Sequence, residues 1–76
     1  MVLISHYKNN KKREIFAQFY DMKKEYYALV ENVGDNKKIE LNDLISVFGN
    51  FYKVSAITTK DDKIRVDLKL LSRGVA

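Results

Sequence analysis

The chain has no cysteine and no proline, and only three glycines and one histidine among its 76 residues. Without cysteine, neither a disulfide nor a thiolate metal site can brace so small a domain. That usage is expected of a reducing, cytosolic compartment. The single histidine, His6, follows Ser5. Neighbours on an extended strand point to opposite faces, so the two cannot form a nucleophile–base pair. A zinc site would need several carboxylates around that one imidazole, and none are spaced for it. Gly34, Gly49 and Gly74 stand far apart, which excludes a glycine-rich phosphate loop. Asp61 and Asp62 sit in a Lys-Asp-Asp-Lys stretch among their own counter-charges, as a solvated turn does. No apolar run approaches the roughly 18–20 residues needed to cross a bilayer. The N-terminal MVLISHY lacks the basic segment and apolar length of a signal peptide. No enzymatic activity, cofactor, metal or membrane span is expected.

What the chain does have is charge in one place. Lys8, Lys11, Lys12 and Arg13 surround Asn9-Asn10, and from Glu14 onward ten basic residues balance ten acidic ones. The formal net charge of +4 therefore equals the charge of this one segment. An excess confined to one loop attracts an anionic partner without making the whole surface adhesive. A length of 76 residues allows one domain. Its end, 73–76, reads as a frayed tail.

The second half of the chain reads as strands. Ile64-Arg65-Val66-Asp67-Leu68-Lys69-Leu70 alternates apolar and charged residues, which places Ile64, Val66, Leu68 and Leu70 on one face. Phe51 to Thr59 is rich in β-branched and aromatic residues, and its apolar parity slips between Ala56 and Ile57, as at a β-bulge. Gly49-Asn50 suits the loop of a tight hairpin, with glycine first as in a type II′ turn. These segments predict a three-stranded meander from about 45 to 71.

The first half admits two descriptions. As strands it runs Val2 to Tyr7, Ile15 to Tyr20, Tyr26 to Val33 and Lys38 to Leu41. The turns then fall at Asn9-Asn10, Asp21 to Lys24 and Gly34-Asp35-Asn36. Turn signals at such regular spacing predict a mainly β fold, a small curled antiparallel meander or barrel that looks like an SH3- or OB-type module. As a helix from about 12 to 33, the same residues gather nearly all their large apolar side chains on one half of the wheel, with Ala17 and Ala28 on the other. That gives an α+β alternative with the helix packed on the C-terminal meander. Against it stand the cations of Lys11, Lys12 and Arg13 at the helix start, where the macrodipole disfavours them.

Two features bear on function. The segment KNNKKR reads as a hairpin tip, because asparagine tolerates the positive φ of a tight turn. Such a finger can follow a phosphate backbone, each neutralised phosphate adding a counterion-release term. The nucleic-acid candidates are Lys8, Lys11, Lys12 and Arg13, with Lys37 and Lys38 on the same end of the molecule if alternate turns of a meander share an end. A solvated loop, or an edge strand guarded by lysines, accounts for the same charges. The second feature is a surplus of aromatics for one small core. Tyr7, Tyr20, Tyr27, Phe48 and Tyr52 are candidates for contact with a base or a protein partner. Phe48-Gly49-Asn50-Phe51-Tyr52 resembles the aromatic-Gly-x-aromatic core of the RNP1 motif of cold-shock and RRM domains, although Ser46-Val47 replaces the basic-Gly pair before it. That resemblance implies bases stacked on the aromatics. The sequence thus predicts a non-enzymatic binding module for nucleic acid. The alternative is a protein-interaction or homo-oligomerising accessory protein, since cysteine-free chains rich in lysine and asparagine resemble small bacterial and phage accessory proteins.

Overall fold

The structure, a computed structural model, describes residues 1–74. Its elements are β1 (Val2–Lys8), β2 (Lys11–Met22), β3 (Glu25–Glu31), a short 3-10 helix (Gly34–Lys38), β4 (Leu44–Val47), β5 (Asn50–Lys60) and β6 (Lys63–Ser72). The six strands close into an antiparallel barrel in the order β1-β2-β3-β6-β5-β4, with β4 returning to β1. The fold is mainly β, a small barrel of the SH3/OB kind. It comprises two three-stranded meanders, joined by β3 against β6 and β1 against β4.

The segment 12–33 is therefore a hairpin and not a helix. Its alternation is complete once alanine is counted as a core residue. Ile15 and Ala17 face inward from β2 and Ala28 and Val30 from β3, while Phe16 points out. The helical wheel misplaces the two alanines because they are small enough to fill the narrow interior that larger side chains would crowd. Ile4, Ile45, Val47, Val54, Ile64, Val66 and Leu68 complete the core from the other strands, and Ile39 plugs one end.

The turns follow backbone chemistry. Asn9-Asn10, Lys23-Lys24 and Phe48-Gly49 each place two successive residues at positive φ, as two-residue type I′ hairpins require. The β4–β5 loop is thus Phe48-Gly49 and not the expected Gly49-Asn50. Gly49, at φ +79°, takes the second loop position, and Asn50 begins β5 opposite Val47. The expected bulge is also displaced. The register slips between Val54 and Ala56, so Ser55 is the extra residue, and its hydroxyl donates to the Asp67 carbonyl at 3.2 Å.

The strand expected over Lys38–Leu41 does not form. Gly34 turns the chain at φ +52°, and the 3-10 turn is fixed by Asn36 Nδ2 donating to the Glu31 carbonyl at 2.9 Å. Ile39 then drops into the core, which breaks any extended run through 38–41. At the C-terminus, Gly74 N–H donates to Asn50 Oδ1 at 2.9 Å, so Arg73-Gly74 is docked rather than frayed. The rest of that expected tail, 75–76, lies outside the described residues.

Strand directions sort the connections between two ends. The Asn9-Asn10 turn, the 3-10 segment and the Asp61-Asp62 turn share one end. Lys23-Lys24, Phe48-Gly49 and the C-terminal segment share the other.

Candidate functional site

Cross-strand register decides which side chains of the basic segment look into the barrel mouth. Lys8 stands opposite Lys11, Tyr7 opposite Lys12 and His6 opposite Arg13. Alternation from the buried Ile4 carries His6 and Lys8 on the inner face, with Arg13 and Lys11 beside them. The 3-10 segment lies across this mouth. Together they form a cleft of about 450 Å³ lined by His6, Lys8, Asn9, Lys11, Lys12, Arg13, Asp35 and Lys38.

These cations have two kinds of environment. Lys8 and Arg13 hold the cleft together. Lys8 Nζ donates to the Lys38 carbonyl at 2.7 Å, pairs with Glu40 and lies 3.6 Å from Asp43 Oδ2. The Glu40 hydrogen bond, with the charges of Asp43 and Glu40, raises the Lys8 pKa against the effect of its desolvation. Arg13 donates to Asn36 Oδ1 at 2.7 Å and to the Asp35 carbonyl at 2.9 Å, tying β2 to the 3-10 segment. Lys38 pairs with Asp35 at 3.2 Å, and both are exposed, so the pair is weakly held. Lys11, Lys12 and Lys37 are exposed and have no carboxylate partner among the described residues. The turns carrying 8–13 and 37–38 do share an end, as the meander argument required, although Lys37 lies outside the lining of the cleft.

Beneath the lysines lies a polar core element that the sequence reading missed. His6, on the inner face of β1, is 3% exposed. Its Nε2–H donates to Asp43 Oδ2 at 2.7 Å, since the carboxylate can only accept. Asp43 Oδ2 also accepts the Glu40 N–H at 2.9 Å. Burial pushes the Asp43 carboxyl up, but the His6 hydrogen bond, the Glu40 amide and the Lys8 charge outweigh it and hold the pKa below the ordinary value. The signal for His6 was available: it stands two residues after Ile4 on the same strand face. Nothing local marked Asp43, whose partner is 37 residues away.

The aromatic candidates disperse over the barrel. Tyr52 is 2% exposed and packs against Tyr26 and Phe19, with ring centroids 5.2 and 5.6 Å away, so it belongs to the core and not to a contact surface. Burial raises its pKa, only partly opposed by a hydrogen bond with Asn50. Tyr27 lies between Tyr20 on β2, stacked at 4.7 Å, and Arg65 on β6, whose guanidinium is 3.9 Å from the ring centroid. Both faces of Tyr27 are thereby occupied. Tyr7 rests against Phe51 at 6.5 Å and is half-buried. Phe48 is the most exposed of the five, 74% at φ +51°, with its ring edge-on to Phe19 at 6.3 Å. The RNP1-like stretch thus forms a hairpin turn with Tyr52 directed inward, not a continuous stacking surface.

No group of three or more His, Cys, Asp or Glu side chains among the described residues could hold a metal ion. No helix among them is long and apolar enough to cross a membrane. Set against family models, curated proteins and solved structures, the chain matches none of them.

Proposed function

We propose that this barrel is a non-enzymatic, cytosolic binding module for nucleic acid that takes the phosphate backbone at its cationic end. The observation that supports the reading is the 450 Å³ cleft, whose rim carries Lys11 and Lys12 with no internal counter-charge. Lys8 and Arg13 are braces that keep the hairpin and the 3-10 segment apart at a fixed spacing. A concavity with an excess of one sign of charge, here five cations against the one carboxylate of Asp35, focuses potential, and phosphate is the anion that a flexible lysine pair meets as a point charge. Lysines meet phosphate rather than base edges, and Arg13 is engaged with Asn36 and Asp35, so the expected binding is largely independent of sequence.

Titration of labelled single- and double-stranded nucleic acid, followed by anisotropy at two salt concentrations, tests this. Binding is expected to weaken as salt rises. Lys11→Gln with Lys12→Gln should reduce the salt slope by about 1 per lysine. An unchanged affinity and slope in this double variant, or no binding at low salt, overturns the reading.

A second reading rests on Phe48. A bulky residue held at φ +51° and left exposed is costly in both respects, which points to a protein partner or a second copy at that hairpin. Loss of a salt-insensitive partner or self-contact on Phe48→Asn would favour it over the cationic cleft.

A further inference from the structure

The barrel has a second cationic cleft, at the end opposite the first. It is about 520 Å³ and is lined by Lys24, Tyr26, Ser55, Lys69, Leu70 and Arg73, together with Leu68. Lys24 comes from the β2–β3 turn, Lys69 from the last part of β6 and Arg73 from the segment that follows it. No carboxylate lines this cleft, and none of its three cations has an ion-pair partner among the described residues. Elsewhere on β6, Lys63 pairs with Glu31 and Arg65 with Asp67.

Two further observations show that this charge is held at a local cost. Lys69 stands directly opposite Lys53 across the β5–β6 ladder, a like-charge pairing that a sheet disfavours. Lys24 occupies φ +72° and its neighbour Lys23 φ +49°, positions where glycine or asparagine relieves strain. Arg73 is kept in place by the docking of Gly74 on Asn50 Oδ1. The half-buried Tyr26 ring, stacked on Phe19 with an interplanar angle of 12°, gives the cleft an apolar floor.

We infer that this second cleft binds the phosphates of a second nucleic-acid segment, so that one monomer bridges two segments held at opposite ends of the barrel. The inference rests on the nucleic-acid reading of the first cleft. It adds a bivalency that the first cleft alone does not have. Even the shortest extent of the molecule, 22 Å, exceeds the Debye length of roughly 8 Å at physiological salt, so each end attracts its own segment with little repulsion between the two.

A bead-bound duplex, a fluorescent duplex of unrelated sequence and the monomeric protein give the test, with single-duplex anisotropy measured in parallel. Wild type is expected to capture the fluorescent duplex on the beads. The variant Lys24→Gln/Lys69→Gln/Arg73→Gln should still bind one duplex yet lose capture. Lys11→Gln/Lys12→Gln should lose capture as well. Wild-type binding without capture, or capture that survives in the Lys24/Lys69/Arg73 variant, overturns bridging and leaves the single-site function standing. Failure of the wild type to bind any duplex at low salt overturns both.

Discussion

His6 on β1 and Asp43 just before β4 meet through a 2.7 Å hydrogen bond directly under the Lys8 ammonium. His6 lines the cationic cleft, and the pair joins the first hairpin to the segment that closes the barrel. One carboxylate accepts from His6 and the Glu40 amide and faces the Lys8 ammonium at 3.6 Å, and each favours its ionised form.

A pH dependence of stability follows. The Asp43 pKa is lowered from its ordinary 3.8 in the folded state, so the unfolded chain binds more protons in that range. The stabilisation is complete above about pH 4 and is lost as pH falls through the lower folded value. Asp43→Asn should destabilise the fold by about 1–3 kcal/mol at neutral pH, because the remaining amide oxygen can still accept a hydrogen bond but no longer carries the charge that faces His6 and Lys8. It should also flatten the acid limb. Denaturant unfolding of both proteins from neutral pH to pH 2 is the measurement, and parallel acid limbs would contradict the assignment.

Gly74 is expected to be intolerant of a side chain for a reason of space. A Cβ there would lie 2.3 Å from the Gly49 carbonyl oxygen, a backbone atom that cannot rotate away. Gly74→Ala should therefore undock the C-terminal segment and break its hydrogen bond to Asn50, at a cost of about 0.5–1.5 kcal/mol. Adding Asn50→Ala to Gly74→Ala should cost less than Asn50→Ala does alone, because the bond between the two is already lost. Thermal melts of the two single variants and the double variant close the cycle.

Lys23 offers the opposite sign. It sits exposed at φ +49° in a turn that suits asparagine, and it does not line the second cleft. Lys23→Asn should stabilise the fold by about 0.5–1 kcal/mol, which raises Tm by a few degrees in a domain of this size. Duplex capture should be unaffected. A fall in Tm would show that the lysine makes a folded-state contact beyond its backbone.

The legible part of the fold was the part governed by alternation. Ile64 to Leu70 announced β6 because its outward residues are charged. Phe16, Tyr27 and Leu29 obscured β2 and β3, since they are apolar residues facing outward or only half covered. The basic segment was equally legible as a charge excess. The division of labour within it was not, because Lys8 and Arg13 are claimed by Glu40, Asp43 and Asn36 from a distant part of the chain. Tyr52 looked like surplus because one aromatic resembles another in sequence. Its inward direction depends on the register that sets it opposite Ile45. The second cleft gathers cations from three places in the chain, and no local run of charge announces it.

The seam between β1 and β4 pairs only Ser5 with Ser46, His6 with Ile45 and Tyr7 with Leu44, while every other junction is longer. Each meander can form from local hairpins; this seam, like that of β3 with β6, pairs residues more than thirty apart and forms late on entropic grounds, and it is the shorter of the two. It is accordingly the place where the closed cylinder first opens in fluctuation. Amide exchange at Tyr7 and Ile45 thus reports the breathing of the whole barrel. A ligand that draws the first hairpin toward the Lys38 segment acts as a clasp on that motion.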